Sequence, residues 1–212
     1  SKSMAHRYLI CAGLSAGSTV HGVAFSEDIR ATLDGLTALG AAYTADGATV
    51  RIGGADPLAR PQAPLRCRES GSTLRFLLPL CLLSGEDVKL SGSERLFQRS
   101  LAVYRELCGA QGLRFDESPC AVTVRGPLRP GRYPVRGDVS SQFISGLLLA
   151  LPLLEGDSEL HITGALESAS YLRMTVQAMR DFGVEPERPE ERVFRIRGGQ
   201  RYAPREVTVE GD

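Results

Sequence analysis

Hydrophobic and polar positions follow a plan that recurs three times along the chain. Each copy opens with a small polar cluster, at Ser1-Lys2-Ser3, Ser70-Gly71-Ser72-Thr73 and Ser140-Ser141-Gln142, and each cluster leads into an apolar run. Short oxygen-bearing side chains cap the unpaired N–H groups of a helix start, so each cluster predicts one. The expected stops are Gly17, Gly85 and Gly156, which stand 68 and 71 positions apart. Spacing that regular marks an internal repeat. A short strand is expected after each stop, at residues 19–23, 88–92 and 160–164. A second, amphipathic helix follows at 26–40, 98–112 and 168–183, with apolar residues such as Leu33, Leu36 and Leu39 on one face. Two more strands close each unit. The first of them, at 48–53, 121–126 and 193–198, alternates apolar and polar residues as a half-buried strand does.

The opening helices of the second and third units, 74–84 and 143–154, are apolar on nearly every side, which requires burial all round and places the strands outside them. The fold class expected is therefore α/β in the α+β sense, with three βαβαββ-type units whose small sheets pack around central buried helices. One domain over 1–212 is expected, with repeats at about 1–69, 70–139 and 140–212. Pro79 and Pro152 should kink or interrupt their helices, since each removes a backbone donor. A strand precedes the opening helix in units two and three, at 64–68 and 133–136, whereas the first unit begins at its helix. The last strand, 206–210, runs into Gly211-Asp212 in the phase that would open another helix. The sequence thus reads as a piece of a longer chain.

Composition narrows the function. Of 212 residues 42% are hydrophobic, enough for a sizeable core, and 25 Lys plus Arg balance 25 Asp plus Glu. No net field draws the chain to nucleic acid or a membrane surface, and neither is expected as a partner. The longest apolar run, 146–154, is too short to span a bilayer. Five cysteines without a C-x-x-C pair read as reduced thiols, and no secretory signal opens the chain, so a cytoplasmic location is expected. His6, His21 and His161 form no cluster at ligand spacing, so no metal site is expected. The three helix starts carry the chemistry. Unpaired N–H groups and the positive end of the helix dipole bind phosphate or carboxylate where small residues allow approach. With Lys2, Arg7 and Arg75 close by in sequence, a small anionic ligand is the natural guest.

The segments Ser1-Lys2-Ser3-Met4-Ala5-His6-Arg7, Gly71-Ser72-Thr73-Leu74-Arg75, Gly137-Asp138-Val139-Ser140-Ser141-Gln142-Phe143 and Glu167-Ser168-Ala169-Ser170-Tyr171 resemble successive motifs of the 3-phosphoshikimate 1-carboxyvinyltransferase (EPSP synthase) family. The resemblance covers that family's N-terminal half and implies its repeated fold. It implies transfer of the enolpyruvyl group of phosphoenolpyruvate to the 5-hydroxyl of shikimate 3-phosphate, with no metal or organic cofactor. The partner implied is the C-terminal half of the same enzyme, so this piece is expected to bind shikimate 3-phosphate weakly and to be inactive alone. Carried over residue by residue, Lys2 would be catalytic, approaching phosphoenolpyruvate and the reacting hydroxyl, while Ser3 and Arg7 would hold the substituents of the shikimate ring. Gly71 would admit phosphoenolpyruvate, Arg99 would clamp its phosphate, and Gln142 would sit between the substrates. Ser140, Ser141 and Ser168 would bind the 3-phosphate, and Tyr171 would contact the shikimate. Arg75, inside an apolar helix, reads more simply as a paired structural cation and stays outside this set. Two alternatives remain open. A UDP-N-acetylglucosamine enolpyruvyl transferase typically has Lys-Asn where Lys2-Ser3 stands and a loop cysteine that 90–99 lacks; a non-catalytic phosphate-binding module would keep the pocket alone.

Overall fold

All three polar clusters start helices. The computed structural model describes residues 1–211; Asp212, read above as leading toward another helix, lies outside them. The first stretch runs α1 (Lys2–Leu14), β1 (Ser18–His21), α2 (Glu27–Ala38), β2 (Ala42–Asp46), β3 (Thr49–Gly53). The second runs β4 (Leu65–Arg66), α3 (Gly71–Cys81), β5 (Val88–Ser91), α4 (Glu94–Phe97), α5 (Ala102–Gln111), β6 (Arg114–Ser118), β7 (Ala121–Arg125). The third runs β8 (Arg132–Arg136), α6 (Ser141–Ala150), β9 (Ser158–Thr163), α7 (Ala169–Asp181), β10 (Glu187–Glu190), β11 (Val193–Ile196), and β12 (Glu206–Thr208) follows it. Ser1, Ser70 and Ser140 cap α1, α3 and α6, their hydroxyls accepting from the N–H of Met4, Thr73 and Gln142 at 3.3, 3.1 and 3.2 Å.

The strands form three four-stranded sheets of one plan, ordered β12-β1-β3-β2, β4-β5-β7-β6 and β8-β9-β11-β10. In each, a strand pairs parallel with the one after the opening helix, and an antiparallel hairpin completes the sheet. The first stretch has no strand of its own for the parallel place. β12, from the far end of the chain, fills it with Thr19 opposite Glu206 and His21 opposite Thr208. The amino group of Ser1 donates to the carbonyl of Glu210 at 2.6 Å, so the two ends of the described chain meet.

Three details differ from the sequence reading. The hairpin strands β2, β6 and β10 were not anticipated; they lie at sheet edges with nearly every side chain exposed, so no alternation betrays them. The short α4, capped by Ser93, was likewise not anticipated. Gly17, Gly85 and Gly156 do not cap the opening helices: none has a left-handed φ, and they lie in the bends that follow, whereas Gly40, Gly112 and Gly183 do end the second helices with φ of 106°, 68° and 79°.

Helices α1, α3 and α6 are buried along most of their length, with Leu9, Ile10, Leu74, Leu77, Leu147 and Leu148 all inaccessible or nearly so. Pro152 does interrupt its helix, which passes into a 3-10 turn at Leu151–Leu153. Pro79 stays inside α3, and its missing N–H leaves the carbonyl of Arg75 without its helical donor. The buried Tyr104 hydroxyl from α5 donates there instead, at 2.6 Å. Gly146 lies at this crossing: a Cβ on it would stand 2.3 Å from the Arg75 carbonyl oxygen and 2.4 Å from the Tyr104 hydroxyl. No helix among the described residues is long and apolar enough to cross a membrane. The crossing predicts that Gly146→Ala, which would favour an isolated helix, destabilises the protein by on the order of 1–3 kcal/mol, measured as a lower urea midpoint at unchanged slope.

Candidate functional site

A cavity of about 360 Å³ opens where the starts of four helices converge. Ser3 and Arg7 reach it from α1, Ser72 and Phe76 from α3, Ser140, Ser141 and Gln142 from α6, and Ser168 and Tyr171 from α7. Seven of the ten residues expected from the sequence therefore line one space, and Lys2, Gly71 and Arg99 stand outside its lining. The hydroxyl of Ser140 is already engaged in capping α6, as the simplest reading of such a serine requires. The start of α7 is different. Ser168 has φ 54° and ψ 42°, a left-handed conformation that costs a non-glycine residue, and its hydroxyl caps none of the N–H groups of that start. Two carboxylates also border the cavity, Asp138 and Glu167. Asp138 is held below the usual carboxylate range by its hydrogen bond to Arg136.

Arg7 is the group that decides what the cavity can hold. It is 2% exposed, yet its hydrogen bonds go to neutral acceptors: Nη1 to the carbonyl of Ser3 at 2.9 Å, Nε to Thr175 Oγ1 at 2.7 Å, and Nη2 to Ser145 Oγ at 3.4 Å. Its faces rest on the rings of Phe76 and Tyr171, 4.8 and 5.9 Å from the ring centres. Burial pulls its pKa from 12.5 to about 10, which leaves it charged at neutral pH. A guanidinium buried among neutral partners beside an open cavity favours an anion there.

A second cationic corner adjoins Gly71. A Cβ on Gly71 would stand 2.8 Å from Arg99 Nη1, 2.9 Å from Arg75 Nη1 and 3.8 Å from Gln142 Oε1, so the bare backbone lets two guanidinium groups close over the start of α3. Arg75 donates to Gln142 Oε1 at 2.9 Å, and Gln142 Nε2 donates to Ser72 Oγ at 2.9 Å, which fixes the amide between the cavity and this corner. Buried Arg75 Nε has no hydrogen-bond partner among the described residues. Burial first, and the charge of Arg99 second, lower the pKa of Arg75. The sequence suggests a paired structural cation at Arg75, but no carboxylate among the described residues pairs with it. The available signal was spacing, since residues four apart on a helix share a face and Arg75 stands one turn from Gly71.

A family model described as EPSP synthase (3-phosphoshikimate 1-carboxyvinyltransferase) matches residues 1–212. The chain belongs to the EPSP synthase family. Among its relatives, the 3-phosphoshikimate 1-carboxyvinyltransferase of Clostridium kluyveri is 43% identical over 215 residues, covering all of this chain and 50% of the relative. The enzyme of the same name from Clostridioides difficile is 40% identical, with all of this chain and 52% of the relative covered. The chain thus spans about half the length of the curated relatives it matches. The solved EPSP synthase of Acinetobacter baumannii shares the fold, with a TM-score of 0.83 at 21% identity over 99% of this chain and 48% of that one. So does the enolpyruvyl transferase NikO of Streptomyces tendae, with a TM-score of 0.70 at 18% identity over all of this chain and 50% of that one.

The residue that the family resemblance made catalytic, Lys2, is half exposed at the start of α1 with its ammonium on Asp28 at 2.9 Å. Behind it His6 is 1% exposed, with Nδ1 2.8 Å from Thr32 Oγ1, Thr32 Oγ1 2.8 Å from Thr73 Oγ1, and Nε2 without a partner among the described residues. These contacts tie α1, α2 and α3 together below the site. Burial lowers the His6 pKa from 6.5 to about 4; Asp28 opposes the shift, and Lys2 and Arg7 add to it. The unfolded chain takes up a proton near pH 6.5 that the folded chain refuses until about pH 4, so folding loses stability as pH falls through that window. We expect urea titrations from pH 7 to pH 4 to show a loss of up to roughly 3 kcal/mol from this group, and His6→Gln to flatten that part of the pH dependence.

Proposed function

We propose that this chain is the substrate-binding half of a 3-phosphoshikimate 1-carboxyvinyltransferase, working in the cytoplasm with a second half of the same enzyme. The carrying observation is Arg7, a buried cation with neutral partners, lining a cavity built from helix starts. Shikimate 3-phosphate occupies that cavity, with Ser3, Arg7 and Tyr171 on the ring and its substituents. Its phosphate takes the starts of α6 and α7 at Ser140, Ser141 and Ser168, where backbone N–H groups and the dipoles favour an anion. Phosphoenolpyruvate takes the corner at Gly71, held by Arg99 and Arg75, and Gln142 lies between the two substrates.

In the reaction, the 5-hydroxyl of shikimate 3-phosphate loses its proton to a base as its oxygen bonds to the central carbon of phosphoenolpyruvate, and the methylene carbon gains a proton from an acid. Phosphate then leaves from that central carbon, the added methyl group gives up a proton, and the enol ether remains. Lys2, on a flexible stem, exchanges Asp28 for the charge that develops on the transferred group. Acid and base groups from the second half complete the site, and closure of the two halves excludes water. No cofactor enters this scheme.

Calorimetry of the 212-residue chain with shikimate 3-phosphate tests the binding half of the proposal. We expect saturable binding, weakened about tenfold or more by Arg7→Lys, which keeps the charge and loses the planar fork; no binding at millimolar ligand overturns it. A phosphate-release assay tests the catalytic half. Release is expected only when a C-terminal half is supplied as a second chain, and turnover by the 212-residue chain alone contradicts the division of labour. In the reconstituted enzyme, Gly71→Ala should raise the phosphoenolpyruvate requirement about tenfold and leave shikimate 3-phosphate affinity within twofold, because the new methyl presses on the two guanidinium groups.

A further inference from the structure

What fixes the plane of Arg7 lies on other helices. Thr175 Oγ1 on α7 accepts the Nε proton at 2.7 Å, and Ser145 Oγ on α6 accepts from Nη2 at 3.4 Å. The two hydroxyls are 2.7 Å apart, Thr175 Oγ1 is 3.0 Å from the carbonyl of Tyr171, and both side chains are completely buried. One assignment of protons satisfies all four contacts: Ser145 donates to Thr175, Thr175 donates to the Tyr171 carbonyl, and each hydroxyl accepts from Arg7. Both residues stand one turn beyond residues that line the cavity, Ser145 after Ser141 and Thr175 after Tyr171.

We infer that Thr175 and Ser145 are positioning residues, a buried hydroxyl pair that sets the orientation of the Arg7 guanidinium for an anionic ligand. A guanidinium has five N–H donors. Three are spent on Thr175, Ser145 and the Ser3 carbonyl, and two remain for a ligand in the cavity that Arg7 lines. A planar fork recognises a carboxylate or phosphate through the angle it presents, so an Arg7 free to rotate about its last bonds would keep the charge and lose the match. The same pair ties α1, α6 and α7 to one another directly below the site. Neither hydroxyl lines the cavity, so each acts through Arg7.

This inference rests on the proposed role of Arg7 in binding substrate, and the test separates the two. The first readout needs no ligand: solvent exchange of the Arg7 Nε proton, followed by nuclear magnetic resonance in the 212-residue chain. Exchange should be slow in the unaltered chain and in Thr175→Ser, and about tenfold or more faster in Thr175→Val, which keeps the shape and removes the hydroxyl. Ser145→Ala, the milder change, should fall between them and serves if Thr175→Val fails to fold. The second readout is affinity for shikimate 3-phosphate. Thr175→Val should weaken it about tenfold, Thr175→Ser should restore it to within twofold, and Thr175→Val added to Arg7→Lys should cost little more than Arg7→Lys alone. An Nε proton that stays protected in both Thr175→Val and Ser145→Ala overturns the inference, as does a full affinity loss from Thr175→Val in the Arg7→Lys background. If the unaltered chain binds no shikimate 3-phosphate, the functional reading fails, while proton exchange still decides whether the hydroxyls hold the arginine.

Discussion

A charge moved from water into a protein interior costs several kcal/mol unless something of opposite sign goes with it. Arg7 goes in with a carbonyl, two hydroxyls and two aromatic rings, none of which cancels its charge. Burial lowers its pKa only to about 10, so the guanidinium stays protonated under ordinary conditions and its field persists in the cavity. The same accounting applies at the buried Arg75, which the exposed Arg99 meets over Gly71 with a second positive charge. The strained backbone of Ser168 and the uncapped start of α7 belong with them. Each feature carries a cost in the protein by itself, and the anion we propose for the cavity would offset it.

The fold supplies this arrangement through repetition and a few close contacts. Three polar clusters capping three buried helices would be unremarkable if the helices pointed apart. They converge because α3 and α6 cross closely at Gly146, where the Tyr104 hydroxyl occupies the carbonyl that Pro79 leaves without its helical donor. They stay together because β12 supplies the first sheet with the strand that the other two sheets take from their own stretches. A chain lacking β12 would leave β1 with an open edge, and just past β12 the Glu210 carbonyl takes the amino group at the start of the helix that carries Arg7.

Local chemistry was legible in the sequence, and long-range geometry was not. Helix starts were readable because a serine cap is a contact between near neighbours, and central helices because apolarity on every side leaves them nowhere else to lie. Strands β2, β6 and β10 were not readable: held by backbone bonds to one neighbour and exposed, they carry no periodicity. The glycines after the opening helices suggested caps, yet those helices end at Ser15, Leu82 and Leu151 without a left-handed residue. Seven of the ten expected site residues line the cavity, and Gly71 lies against Arg99, but the family motif could not show that Lys2 rests on Asp28. The roles of Arg75, which reads from sequence as a structural cation, and of Thr175 and Ser145, which carry no sequence signal, are hidden for one reason. A residue inside a helix reveals its partner only when the partner helix is in place.

Because the chain spans about half of its relatives' length, the cavity described here is one wall of the site we propose. The central claim is that this wall, by itself, holds a phosphorylated carboxylic acid in a defined pose. A crystal structure of the 212-residue chain soaked with shikimate 3-phosphate tests it most directly. The account predicts the phosphate at the starts of α6 and α7, beside Ser141 and Ser168, with another substituent of the ring within hydrogen-bond distance of Arg7. A ligand bound elsewhere, or a cavity that stays empty at saturating concentration, would contradict it.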